Sequence, residues 1–161
     1  MLRNSIVALC AVFAVSAAQA QAQAPQAGTT VEVRSLSAAG AQMVVAAAEA
    51  QASRIQAPSS IAVVDAAGDL IAFVQMDGAR RVGIELATGK ARSAVRFHMP
   101  TAALETAING GRIAAVTAGA VEMQGGIPLS VGGTMVGAVG VSGMNKDNDL
   151  KIAEAAVAGF K

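Results

Sequence analysis

The most constraining feature of this chain is a glycine pair set between two β-branched runs. Ile127-Pro-Leu-Ser-Val131 leads into Gly132-Gly133, and Thr134-Met-Val-Gly-Ala-Val-Gly-Val-Ser142 follows. Such a pattern predicts a β-hairpin, because a primed two-residue turn needs positive φ at both central positions. Pro128 has no amide proton for a ladder, so its strand lies at a sheet edge or the proline stands at the strand's start. Gly137 and Gly140 weaken a strand interior unless something packs very close to them.

A second hairpin comes earlier in the chain. Ile61 to Asp65 and Leu70 to Met76 flank the turn Ala66-Ala67-Gly68. Ser35 or Ser37 caps a helix to about Arg54, with Leu36, Gly40, Met43, Val44, Ala47 and Ile55 near one stripe; Pro58 ends it. A loop from Asp77-Gly78 through Arg80 and Arg81 leads into Val82 to His98, the strongest helical pattern. There Ile84, Ala87, Ala91, Ala94, Val95 and His98 share a face, opposite Glu85, Arg92 and Arg96. Pro100 stops that helix, and Thr101 caps a short one to about Ile108, ended by Asn109-Gly110-Gly111. The stretch 112–124 reads equally as helix or strand. Asp147, Asn148 and Asp149 start a last helix with the stripe Leu150, Ala153, Val157, Phe160. Adjacent strands joined by tight turns, with helices between and beyond them, give an α+β layered domain.

The amino terminus reads as a targeting signal over residues 1–20. Arg3 is followed by the apolar run Ile6 to Ala18 and the small-residue cleavage pattern Ala18-Gln19-Ala20, with a second candidate at Ala22-Gln23-Ala24. About 13 apolar positions fall short of the roughly 20 that span a bilayer. A periplasmic or secreted protein without a stable membrane anchor is therefore expected. Cys10, the one cysteine, follows the large Leu9 inside the run, which argues against lipidation. The mature chain then has no disulfide, thiolate metal site or cysteine nucleophile. Residues 21–34 read as a disordered lead-in and 35–161 as the domain. Of the 12 Lys and Arg, Arg3 is removed, so 11 basic and 11 acidic side chains remain. That balance, without a basic block, speaks against nucleic-acid binding. Trp and Tyr are absent and Phe numbers four. The resulting thin core hints that subunit contacts add burial.

Several pieces stand in a telling order: Ile61-Ala-Val-Val-Asp-Ala-Ala-Gly-Asp-Leu70, Lys90-Ala91-Arg92 with Ala94, Pro100-Thr101, Gly125-Gly126-Ile127-Pro128-Leu129, Gly137-Ala-Val-Gly-Val-Ser-Gly143, and Asp149 with Ala153. Together they resemble the GlcG/HbpS family, which includes the C-terminal domain of PduO-type proteins. The resemblance covers nearly all of the mature chain. It implies a profilin-like fold, a central antiparallel sheet with helices on both faces, and a homo-oligomer, often an octamer. It also implies heme or another small molecule as ligand for exported members, some of which degrade heme or signal to a sensor kinase. Cytoplasmic members sit near glycolate or diol metabolism. The segment between Thr101 and Gly125 departs from many relatives in being short and rich in Ala and Gly.

Toward heme, His98 is the candidate metal ligand, since neutral imidazole is a common partner of heme iron. Its alternative role is to answer carbonyls at a helix end. Met99 is a second candidate for the iron. Lys90 and Arg92, which match the family pattern, are the candidate partners of the propionates, with Arg96, Arg80 and Arg81 nearby; a solvated helix face is the alternative. The acids Asp65, Asp69, Asp77, Asp147 and Asp149 are accounted for by turns and a helix start. Gly125-Gly126 and Gly137-x-x-Gly140 lack the downstream Lys and helix of a phosphate loop. Ser142 has no histidine signature of a hydrolase beside it, and the remaining Met residues, Met43, Met76, Met123, Met135 and Met144, are core fillers. No catalytic residue stands out. The expected function is heme or tetrapyrrole binding; the alternatives are an enzyme on a small hydroxy or oxo acid, or an oligomeric module with no small ligand.

Overall fold

Both expected hairpins form. In the computed structural model, which describes residues 28–160, β1 (Ser60–Asp65) pairs antiparallel with β2 (Leu70–Gln75), and β3 (Gly126–Val131) with β4 (Thr134–Ser142). Gly132 and Gly133 adopt φ of +59° and +79°, the positive values a primed turn requires. The hairpins merge through β1 and β4, which run antiparallel from Ser60 opposite Ser142 to Asp65 opposite Gly137. The sheet order is β2-β1-β4-β3, so Pro128 does lie in an edge strand. The leader, its cleavage sites and Cys10 lie outside the described residues. The chain divides into units Met1–Glu32 and Val33–Lys161, and every helix and strand described belongs to the second.

Helices cover both faces of the sheet. α1 (Ala38–Arg54) and α4 (Lys146–Gly159) pack on each other and on one face; α2 (Gly83–Phe97) lies on the other. Strand alternation sorts the side chains. Ile61, Val63, Val139 and Val141 enter the core under α1 and α4, while Val64 and Ala138 meet Ala91, Ala94 and Val95 of α2. A bulge, where Leu129 faces Gly137 and Ser130 faces Met135, leaves Val136 as the extra residue. It reverses the alternation, so Met135 turns to α2 and Val136 to α1.

Ser37 is the N-cap of α1; its hydroxyl accepts from the Gly40 amide at 3.1 Å. The apolar stripe is rotated from the expected one. Ala41, Val44, Val45, Ala48 and Ala52 are buried, whereas Met43 is exposed. Small alanines occupy the stripe, so volume alone did not mark it. α2 also departs from expectation, since Ile84 is exposed and Lys90 and Ser93 are buried. α3 (Thr101–Asn109) starts one residue early. Pro100 is its N-cap, and the Thr101 hydroxyl instead accepts from the Gly126 amide at 2.9 Å. The ambiguous stretch forms a 3-10 helix, Ile113–Ala118, without a buried residue. α4 begins at Lys146 because Asn145, not Asp147, caps it: Asn145 Oδ1 accepts from the Asp147 amide at 2.8 Å. Residues 28–35 are irregular and exposed.

The α2 face of the sheet is thin because small residues line both sides. Ala87 and Ala91 of α2 lie directly on Gly140: a Cβ there would overlap the Ala87 carbonyl oxygen and stand 2.6 Å from the Ala91 nitrogen. This close approach explains a glycine in the middle of a buried strand. Gly140→Ala should therefore destabilise by about 3 kcal/mol, the upper end for overpacking, because backbone cannot swing aside as a side chain can. Urea unfolding checks it; a loss of less than about 1 kcal/mol would show that α2 shifts freely.

Candidate functional site

Two charges are buried where α2, β4 and α4 meet. The Lys90 ammonium donates to Asp149 Oδ2 and to the Val141 carbonyl, both at 2.8 Å. Asp149 Oδ1 accepts from the Gly143 amide at 2.7 Å. Lys90 is 1% exposed and Asp149 4%. Gly125 closes the arrangement, since a Cβ there would lie 2.7 Å from the Val141 carbonyl and 3.2 Å from Lys90 Nζ. Attraction in a dry setting offsets desolvation only when the remaining polar atoms also find partners, as the Val141 carbonyl and Gly143 amide provide here. Lys90 thus turns into the core and presents nothing to a ligand. That is a correction to its expected place beside a propionate, and the cause is its position on the apolar stripe with Ala87, Ala91 and Ala94.

The other candidates spread over two clefts. An open cleft of about 670 Å³ runs between the β1–β2 turn, α2 and the loop after the 3-10 helix; Arg92, Arg96 and Asp69 line it. Arg92 Nε donates to the Gly68 carbonyl at 3.1 Å, and the Arg96 guanidinium lies 5.8 Å from the centre of the Phe97 ring. A second cleft, of about 580 Å³, opens between the C-terminal end of α2, α3 and the 3-10 helix. Its walls are almost wholly apolar, with Phe97, Met99 and Leu104 among them, and Arg112 and Glu122 are its charged members. His98 stands between Phe97 and Met99 and is exposed. It is the C-cap of α2 in the left-handed region, φ +53°, and its backbone amide donates to the Val95 carbonyl. Lys90, Arg92, His98 and Met99 therefore do not converge: one is in the core, one in each cleft, and His98 is at the rim of α2.

A polar tie holds the wall of the apolar cleft to the rest of the domain. Glu105 of α3 accepts from Lys146 Nζ at 2.8 Å and from the Gln124 amide at 2.7 Å. The Lys146 hydrogen bond, opposed by partial burial and aided by the Gln124 amide, holds the Glu105 carboxyl below the ordinary carboxylate range. Among the described residues no group of three or more His, Cys, Asp or Glu gathers to hold a metal ion, and no helix is long and apolar enough to cross a membrane.

Residues 36–158 match the family described as "Haem degrading protein HbpS-like". The chain belongs to this HbpS-like family. Protein GlcG of Escherichia coli (strain K12) is 40% identical over 84 residues, which are 52% of this chain and 63% of GlcG. The chain thus matches less than two thirds of that relative's length. The structure described as a PduOC:heme complex is 30% identical, with a TM-score of 0.71 over 78% of this chain and 94% of that one. A double mutant of HbpS from Streptomyces reticuli is 28% identical, with a TM-score of 0.76 over 84% and 94%. Lys90, Gly125, Gly143 and Asp149 come together around one ion pair, so they build the scaffold.

The sequence does not show the partner of Asp149, and it does not mark Glu122. Asp149 was accounted for as a helix-start acid, yet it shares a stripe with Ile152, Ala153 and Ala156, all buried. An acid on an apolar stripe, facing a lysine on another, was the available signal. Glu122 lay in the stretch without a periodicity, and nothing in sequence marked it. Removing one member of the pair, as in Lys90→Met, should destabilise by about 3–5 kcal/mol by leaving Asp149 charged and alone. The double variant Lys90→Met with Asp149→Leu should recover part of that loss in thermal unfolding. Additive losses would refute the coupling.

Proposed function

We propose that this protein is an exported, homo-oligomeric tetrapyrrole-binding protein that takes heme in the cleft between α2, α3 and the 3-10 helix. The observation that carries the reading is the cleft itself: about 580 Å³ of apolar space with one cation, Arg112, among its lining residues. That volume lies within the roughly 300–1,000 Å³ of small-molecule sites, which are mostly apolar with a few polar groups. The residues present suit heme. Phe97 and Leu104 offer apolar walls, Arg112 offers a carboxylate partner and Met99 the thioether that iron accepts, while the His98 imidazole stands beside the cleft at the end of α2. When bound, heme supplies a redox-active iron; the chain's own residues hold it, shield it from water and pair its carboxylates. A 30% identical relative whose structure is described as a heme complex supports the same ligand class.

Export is supported by the leader pattern of residues 1–20, and self-association by apolar side chains left exposed on the outer strand β2, where Leu70 is 45% and Phe73 36% exposed. Protein recovered from the periplasmic or culture fraction should begin at Gln21 by mass spectrometry. Retention of Met1 in a cytosolic product would end the export reading. One observation favours the alternative of an enzyme on a small hydroxy or oxo acid: Arg92 and Arg96 line the open cleft together, and guanidinium groups bind carboxylates well.

Hemin titration of the mature protein decides between them. A saturable Soret shift at micromolar hemin is expected, weakened about tenfold or more in a His98→Asn, Met99→Ala double variant, the loss of roughly 1.4 kcal/mol of binding energy. Asn is chosen because it tolerates the left-handed backbone at position 98, which Ala does not. No Soret shift, with saturable binding of glycolate instead, would overturn heme in favour of the alternative. An unchanged shift in the double variant would remove both residues from the iron.

A further inference from the structure

The open cleft beside α2 gathers three charged side chains that form no ion pair. Arg92 and Arg96 of α2 and Asp69 of the β1–β2 turn line it, and all three are exposed to solvent. Among the described residues the ion pairs are Lys90 with Asp149 and Lys146 with Glu105, so Asp69 neutralises neither arginine. Arg92 Nε donates to the Gly68 carbonyl at 3.1 Å, which docks the turn on α2 and leaves the two Nη groups for another partner. Arg96 follows one helical turn later, four residues on, where two like charges repel. Between the charges the walls are small or apolar, Ala120 and Val121 among them. That wall is pinned to α2, since the Val121 amide donates to Ser93 Oγ at 2.9 Å. The cleft, of about 670 Å³, falls within the roughly 300–1,000 Å³ of small-molecule sites.

Two cations and one anion around a single space call for the inverse set on a ligand. A carboxylate matches the fork of one guanidinium, so two guanidiniums suit two carboxylates. The Asp69 carboxylate repels a plain dicarboxylate and attracts an ammonium group. An acidic amino acid carries two carboxylates and one ammonium on a short carbon chain. Its single net negative charge opposes the single net positive charge of two arginines and one aspartate. We propose that the open cleft is a second ligand site, one for a free acidic amino acid. Arg92 and Arg96 take its carboxylates and Asp69 takes its ammonium. The site is independent of tetrapyrrole binding, because the two clefts have no lining residue in common. It also differs from a hydroxy-acid site, since Asp69 selects for an amino group.

Calorimetric titration of the mature protein with L-aspartate and L-glutamate tests this. Succinate, which lacks the ammonium, and glycine, which lacks the second carboxylate, are the comparison ligands. At least one acidic amino acid should bind saturably, one per chain, about tenfold or more tighter than either comparison ligand, the worth of one charged hydrogen bond. Arg96→Gln should weaken it about tenfold or more for the same reason. Arg92→Gln should do likewise; should that variant fail to fold, Arg92→Lys keeps the charge without the fork and should still weaken binding. Asp69→Asn should abolish the preference for the amino acid over succinate. Hemin-loaded protein should bind the amino acid as the free protein does. Absence of binding by both amino acids would overturn the site, whatever the hemin spectrum shows. Succinate or glycolate binding as tightly as the amino acid would remove the selection for an ammonium. A preference that survives Asp69→Asn, or affinity unchanged in Arg96→Gln, would overturn the assignment to this cleft.

Discussion

The buried pair of Lys90 and Asp149 ties together three elements that are far apart in sequence. Lys90 comes from the middle of α2, Asp149 from the first turn of α4, and the Val141 carbonyl from the end of β4. Bringing two charges out of water is unfavourable unless both are paired and hydrogen-bonded. The pair therefore fixes the distance from α2, on one face of the sheet, to α4, on the other, at the one end where β4 gives way to α4. Asp149 gains further from its place at the positive end of the α4 dipole. Gly125 and Gly126 are required nearby because backbone passes too close for any side chain, Gly143 lies against the Ser59 hydroxyl, and Thr101 secures Gly126 from outside.

This arrangement sets up the clefts without entering them. The same helix that gives Lys90 to the core ends at Phe97, His98 and Met99, and its left-handed C-cap turns the chain sharply toward α3. α3 and the 3-10 helix then pack against each other at that end, and the space left between them is the apolar cleft. The 3-10 helix has no buried residue of its own. It packs on α3, whose Glu105 in turn grips the Gln124 amide and Lys146. A rigid, small-residue layer of α2 on β4 thus stands beside a cleft wall that is lightly held. That division suits a binding site carried on a fixed scaffold.

Residues that build the scaffold and residues that line the clefts are different sets here. Lys90 belongs to the first, although its charge and its neighbour Arg92 suggested the second. Adjacent helix positions point in different directions, so Lys90 enters the core while Arg92 reaches the open cleft. Arg112 and Glu122, the charged members of the apolar cleft, lie outside the sheet, between α3 and β3. Specificity in a family can be carried by such a segment because its backbone is not bound by the sheet.

Much of the fold was legible in local chemistry. Gly132-Gly133 can only turn one way between β-branched runs, Pro128 belongs at an edge, and Ser37 and Pro100 bound helices; these follow from φ/ψ and hydrogen-bonding rules that act within a few residues. The stripes of α1, α2 and α4 were less legible because alanine marks a buried face weakly: Met43 and Ile84 are larger and more apolar, yet exposed. The sequence by itself determined two hairpins, their helical neighbours, the α+β class and the family. Only the tertiary structure decided that the hairpins join through β1 and β4, that Lys90 meets Asp149, and that Arg112 and Glu122 share a cleft. Those are pairings over long separations, and their energies come from desolvation and close packing, which no local residue pattern contains.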